Sequence, residues 1–241
     1  MRAQIPRNPV FDKLLERAVP VVMAGEHQQD TPPTDGGRWP LTVVCVPPVD
    51  VRRRLEGLMR EVVPLAGPGH FLTGRADTSH LTVRALEPYR DAASPTDPVT
   101  AEWFAAMRRA AAATPALRFQ LTGLTLTSVS VMAQVEPLDE EPWRFMRRLR
   151  DELGPLAWYE DDWMERNIWY ANVLHFAAPI RDAAGLVEWV RAHREIEAVD
   201  FTVDGAQLVR SRHTRLGDEQ LMAMQSWTTV PFAGAAPAPR G

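Results

Sequence analysis

The segment Ser79-His80-Leu81-Thr82-Val83-Arg84 is where residue type and spacing most directly suggest chemistry. Alternate side chains of a strand share a face. His80, Thr82 and Arg84 are therefore expected to point one way, and Leu81, Val83 and Ala85 the other, into a core. An imidazole that titrates near neutrality, a hydroxyl and a planar guanidinium fork would together cradle a phosphoryl group and move a proton beside it. The same row also suits a solvent-facing strand, and the short motif alone leaves both readings open. His175 is the second candidate, on a strand in the matching place of the second half of the chain. Val173, Ala171 and Ala177 are expected on its face, and Asn172 on the opposite one.

Other residues carry weaker signals. Trp158, Tyr159, Trp163, Trp169 and Tyr170 crowd one stretch around Glu160, Asp161 and Asp162. They read either as a lid that stacks a flat group, with Trp169 contacting substrate, or as ordinary packing. Three adjacent carboxylates there would repel a polyphosphate. His70-Phe-Leu-Thr73 has its polar pair on opposite faces and follows Gly67-Pro68-Gly69, which favours a loop role. His27, His193 and His213 stand alone, and no HExxH or Cys/His spacing is present. No glycine-rich phosphate loop and no nucleophile elbow occurs either. Neither a metal nor a cofactor is expected.

The elements that must hold the two histidines follow from hydropathy patterning. Strands are predicted at 41–46, 80–86, 119–126, 128–135, 170–178, 200–210 and 219–229. Amphipathic helices are predicted at 49–63, 98–113, 142–153 (ended by Gly154-Pro155) and 182–194 (capped by Asp182). The order predicts an α+β fold of two pseudo-symmetric lobes. Each would be an antiparallel-rich sheet with outer helices, and a central cleft between them would be the ligand site. Residues 1–40 read as an N-terminal extension, with a short helical pattern at Phe11–Ala18 and a linker or surface wrap from Gly25 to Pro40, 41–232 as the bilobal domain, and 233–241 as a disordered tail.

Composition bounds the partners. The 241 residues carry a formal net charge of −4 and a pI near 5.9, a balance that does not advertise the broad basic face long nucleic acids need, although arginines cluster at 52–54 and at 147, 148 and 150. A small anionic substrate fits better, and a nucleotide is one option. No apolar run is long enough for a membrane helix, and Cys45 is the only cysteine, so no internal disulfide can form. A cytoplasmic monomer is the expectation. Lys13 is the only lysine, read as the coding bias of a GC-rich genome.

His80-Leu-Thr-Val83 resembles the first signature, His-x-Thr/Ser-hydrophobic, of the 2H phosphoesterase superfamily. That group includes the bacterial 2′-5′ RNA ligase-like proteins and cyclic nucleotide phosphodiesterases. The resemblance covers roughly residues 41–229 and extends to the order of elements. It implies two pseudo-symmetric lobes and metal-free acid–base catalysis by His80 and His175, one taking a proton and the other giving one. Thr82 would steady the phosphoryl oxygens, as would Arg84 on the present reading of the strand. The substrate implied is a small cyclic phosphate or a 2′-5′-linked nucleotide. The second signature departs from the family, because Ala177 stands where Thr or Ser is usual. A divergent enzyme with a non-phosphate substrate and a non-catalytic nucleotide-binding module are the alternatives.

Overall fold

The computed structural model describes residues 5–162 and 166–234. It contains two four-stranded antiparallel sheets. The first has the order β2-β1-β7-β8, from Leu81–Glu87, Leu41–Cys45, Gly205–Leu216 and Glu219–Pro231. The second has the order β5-β4-β3-β6, from Trp169–His175, Ser130–Pro137, Leu117–Leu126 and Val199–Val203. The expected α+β class with two related lobes is what the chain adopts.

The lobes interleave along the chain. The first sheet takes the first two and the last two strands, and the second takes the four between them. One strand predicted at 200–210 is in fact two, because the chain changes sheets at Asp204. A pattern of hydrophobic residues does not reveal that break. Helices cross over as well. Helix α2 (Val49–Ala66) follows β1 but packs on β5 and α6 (Ala183–Ala192), while α3 (Pro98–Ala112) covers β7 and β8 with α4 (Glu141–Leu153) beside it. The stripe Val51, Leu55, Leu58, Met59 and Val62 is buried as its helical spacing requires. Asp182 caps α6, its side chain accepting from the Gly185 amide at 2.8 Å.

Residues 5–40, read above as an extension and linker, are packed into the domain. Helix α1 (Val10–Met23) buries Phe11, Ala18 and Val22 and lies against β3 and α6. The segment after it ties the two sheets together. Gln28 and Asp30 donate backbone N–H groups to the Ser128 and Phe176 carbonyls, each at 2.8 Å, and Gly36 donates to Tyr89 at 2.8 Å. A run of Gly, Pro, Asp and Gln has no periodicity, so its sequence suits a linker or a surface wrap alike, and the structure shows the wrap. Most of the 233–241 tail lies outside the described residues, as does Trp163.

Phe71 closes the gap between the sheets. Its N–H and C=O bond to His175 of β5, each at 3.0 Å, and Leu72 donates to Gln220 of β8 at 3.1 Å. No helix among the described residues is long and apolar enough to cross a membrane.

Candidate active site

The edge strands β2 and β5 approach each other, and the cleft between the sheets opens along them. It encloses about 950 Å³, counting its open mouth. His80, Thr82, Tyr170, Asn172 and His175 all line it, with Thr73 and Thr78 from the intervening loop. The N-terminal strap adds Asp30, Arg38 and Trp39, and the β7–β8 hairpin adds Ser211, Met222 and Met224.

A β-bulge in each edge strand decides which side chains reach the cleft. In β2, Val44 faces Thr82 and Val43 faces Arg84, so Val83 is the extra residue. In β5, Met132 faces Asn172 and Val131 faces Leu174, so Val173 is extra. A bulge shifts the alternation by one position. Past Val83 the cleft-facing residue is therefore Ala85, where regular alternation expects Arg84. Ahead of Val173 the cleft-facing residues are Tyr170 and Asn172, and Trp169 turns away.

Three expectations change as a result. Arg84 does not line the cleft. It is buried behind it, ion-paired with Asp161, and donates to the Ala157 carbonyl at 2.7 Å. Trp169 is a core residue, only 2% exposed, with its ring against Phe119 and Trp143. Asn172, expected to face away from His175, shares the cleft with it.

Two carboxylates of the acidic run, Glu160 and Asp161, are paired with arginines. Glu160 sits near Arg84 and 2.5 Å from Arg166, and Asp161 bridges Arg84 and Arg150. Burial raises the Glu160 carboxyl above its ordinary range, and the two arginines oppose that rise. Arg166 and Tyr159, from this same cluster, face the cleft. So the aromatic stretch divides: Tyr159 and Tyr170 line the cleft, Trp169 is core, and Trp158 is half exposed.

The two histidines sit in different surroundings. His80 Nδ1 lies 2.8 Å from the Thr78 carbonyl and therefore carries the proton it donates. Its Nε2 is left bare, with no partner among the described residues. Burial lowers its pKa, against the pull of the Thr78 carbonyl, and the Arg166 charge adds to the drop.

His175 is buried, and its Nε2 is engaged by Asp30. Asp30 also accepts from Gln28 at 2.8 Å and Arg38 at 2.9 Å. Burial alone would raise the Asp30 carboxyl, but His175, Arg38 and Gln28 together hold it below the usual range. Trp39 packs on His175, with ring centroids 5.1 Å apart, and on Phe71 at 5.0 Å. Its backbone is in the left-handed region (φ 69°), a strained geometry that recurs at ligand clamps.

Thr73 Oγ1, Asn172 Oδ1 and His175 Nδ1 are buried on this wall without hydrogen-bond partners among the described residues. Unpaired buried polar groups in a cleft are places where a ligand can complete the bonding. His70 has a structural part. Its Nε2 donates to the Ala66 carbonyl at 3.1 Å, and its Nδ1 accepts from the Ala177 amide at 3.2 Å. Ala177 follows the end of β5 and does not line the cleft. No hydroxyl is therefore missing from the wall at that point.

No protein-family model matches the sequence, and no curated protein matches it. Solved structures do. TT0787 of Thermus thermophilus aligns with a TM-score of 0.57 at 19% identity, over 81% of this chain and 99% of that one. E. coli LigT complexed with phosphate aligns with a TM-score of 0.50 at 15% identity, over 81% and 98%. LigT complexed with 3′-AMP gives a TM-score of 0.51 at 14% identity, over 81% and 98%. At these identities the likeness is one of fold: the chain shares the two-sheet fold of TT0787 and LigT.

Proposed function

We propose that the protein is a phosphoesterase acting on a small phosphate ester of nucleotide size, such as a cyclic phosphate, with His80 moving the proton. The observation that carries this reading is the bare Nε2 of His80 in the cleft, its tautomer fixed by the Thr78 carbonyl. A histidine whose pKa is lowered is neutral at pH 7 and suited to act as a base. It would take a proton from the attacking water while Thr82, Thr73 and the Arg166 guanidinium steady the phosphoryl oxygens. Trp39, Tyr159 and Met222 offer a flat apolar surface for a base or similar group. That LigT is known with phosphate and with 3′-AMP bound agrees with such a ligand.

The Asp30 contact gives His175 a different part from His80. Its Nε2 is committed to a carboxylate and its Nδ1 is buried. With Nε2 held by Asp30, the contact supports a positioning role that fastens the Asp30–Arg38 strap to β5.

The test is turnover of a nucleoside 2′,3′-cyclic phosphate in EDTA, with binding of the 3′-phosphate followed by calorimetry. His80→Ala is expected to lose about 10²–10⁴-fold in kcat, the usual worth of a positioned acid–base group, and to keep binding. Wild-type binding without turnover would make the protein a nucleotide-binding module. Neither binding nor turnover would move the substrate outside phosphate esters.

A further inference from the structure

The two edge strands repeat one another over the residues that line the cleft. Each lies at the end of its sheet, each pairs with the strand inside it, and each carries one extra valine, Val83 or Val173. Counting from that valine, Thr82 and Asn172 immediately precede it, and His80 and Tyr170 are each three residues ahead. Ala85 and His175 are each two residues beyond. All six line the same cleft. The residue that the internal symmetry sets opposite His80 is therefore Tyr170, and His175 occupies the counterpart of Ala85.

From this juxtaposition we infer that Tyr170 is the second catalytic residue, its hydroxyl giving the leaving oxygen the proton that completes the reaction started at His80. The inference rests on the phosphoesterase reading of the cleft and adds the missing donor to it. The Tyr170 hydroxyl has no hydrogen-bond partner among the described residues, so nothing there competes for its proton. A phenol O–H can serve as a general acid.

The step balances as a hydrolysis. Water loses a proton to His80 Nε2 while its oxygen bonds to phosphorus. The bond from phosphorus to the leaving oxygen breaks, and that oxygen takes the proton of Tyr170 Oη. The His80 imidazolium then returns its proton to the Tyr170 phenolate through solvent, and one water has been added to the ester. Asn172 takes the position of Thr82 in the second strand, and its side-chain amide can offer NH₂ or oxygen to the phosphoryl group.

Leaving-group dependence separates a proton donor from a packing residue. An alkoxide leaving group needs a proton and a nitrophenolate does not. Tyr170→Phe keeps the ring, so the thermal melt should match wild type. Its kcat is expected to fall about 10²–10⁴-fold on a nucleoside 2′,3′-cyclic phosphate and by less than about tenfold on bis(p-nitrophenyl) phosphate. Tyr170→His should restore turnover of the cyclic phosphate and turn a profile that rises with pH to a plateau into a bell near neutrality.

Equal losses on the two esters, or no loss on either, would overturn the role of Tyr170 and leave the phosphoesterase reading standing. If the wild type turns over neither ester, both readings fall together.

Discussion

Asp30→Asn is the perturbation that most directly probes the strap over the cleft. The change keeps size and shape and removes one charge. Asp30 is 6% exposed, and its carboxylate accepts from His175, Gln28 and Arg38. Asparagine can satisfy donors with only one oxygen, so its NH₂ must face either His175 or the Gln28–Arg38 side. His175 can answer by moving its proton to Nδ1, an atom that is buried and unpartnered among the described residues. One charge-assisted bond of about 1.5–3 kcal/mol is then lost. Arg38 is half exposed, so its share of the ion pair is small, ~0–1 kcal/mol. The net loss at pH 7 is about 1.5–4 kcal/mol, and for a chain of this length it lowers Tm by roughly 3–16 °C.

The pH dependence has a definite sign. The folded Asp30 carboxyl sits below its ordinary range, so its stabilisation is fully present above the unfolded pKa of about 3.9 and disappears as pH falls through the lower folded value. Urea unfolding of both proteins, run at pH 7 and stepwise down to about pH 3, should show the gap closing on the acid side. A gap independent of pH, or no gap at pH 7, would refute the Asp30–His175 pairing.

Three further outcomes are expected. Gly74 donates to the Val173 carbonyl at 2.8 Å, and a Cβ there would meet that oxygen at 2.7 Å and Met59 Cβ at 3.0 Å; Gly74→Ala should cost about 1–3 kcal/mol and, by pushing the β5 bulge outward, lower kcat beyond what the loss of fold explains. Arg84→Met should destabilise the fold by about 3 kcal/mol, at the low end for a broken buried pair because Asp161 is a third exposed, yet leave the Kd for a nucleoside 3′-phosphate within about threefold; a folded variant that no longer binds would return Arg84 to the site. The acid limb of kcat/KM should fall below about pH 6.5, the ordinary histidine value, because burial lowers His80; a midpoint above about 7 would contradict that assignment.

Much of the architecture was legible in the sequence because hydropathy reports burial. The stripe on α2, the alternation of β3 and β4 and the cap at Asp182 all fall where their residues indicate. Which strands share a sheet was not legible, since β7 and β6 are continuous in pattern and diverge only at Asp204. The cleft was legible to the extent that parity holds. His80 and Thr82 precede the extra Val83 and are read correctly as cleft residues, whereas Arg84 follows it and is not. In β5, parity taken from His175, beyond the extra Val173, sends Asn172 away from the cleft, while the aromatic stretch points to Trp169, which is core, where Tyr170 lines the cleft. Both bulged residues are valines with ordinary strand propensity, and nothing in their type marks them. The one available signal was the repeat itself: His80-Leu-Thr-Val aligns with Tyr170-Ala-Asn-Val without a gap. Asp30 lay in an unpatterned segment, and only folding brings it to His175.

A structure of the protein with a nucleoside 3′-phosphate bound tests the central claim most directly. The phosphoryl group is expected in the cleft between β2 and β5, with its oxygens within hydrogen-bonding reach, about 2.6–3.2 Å, of His80 Nε2 and Tyr170 Oη, and with Asp30 still on His175. A phosphate seated against His175 with Asp30 displaced, or bound outside the cleft at Arg147 and Arg150, would contradict it.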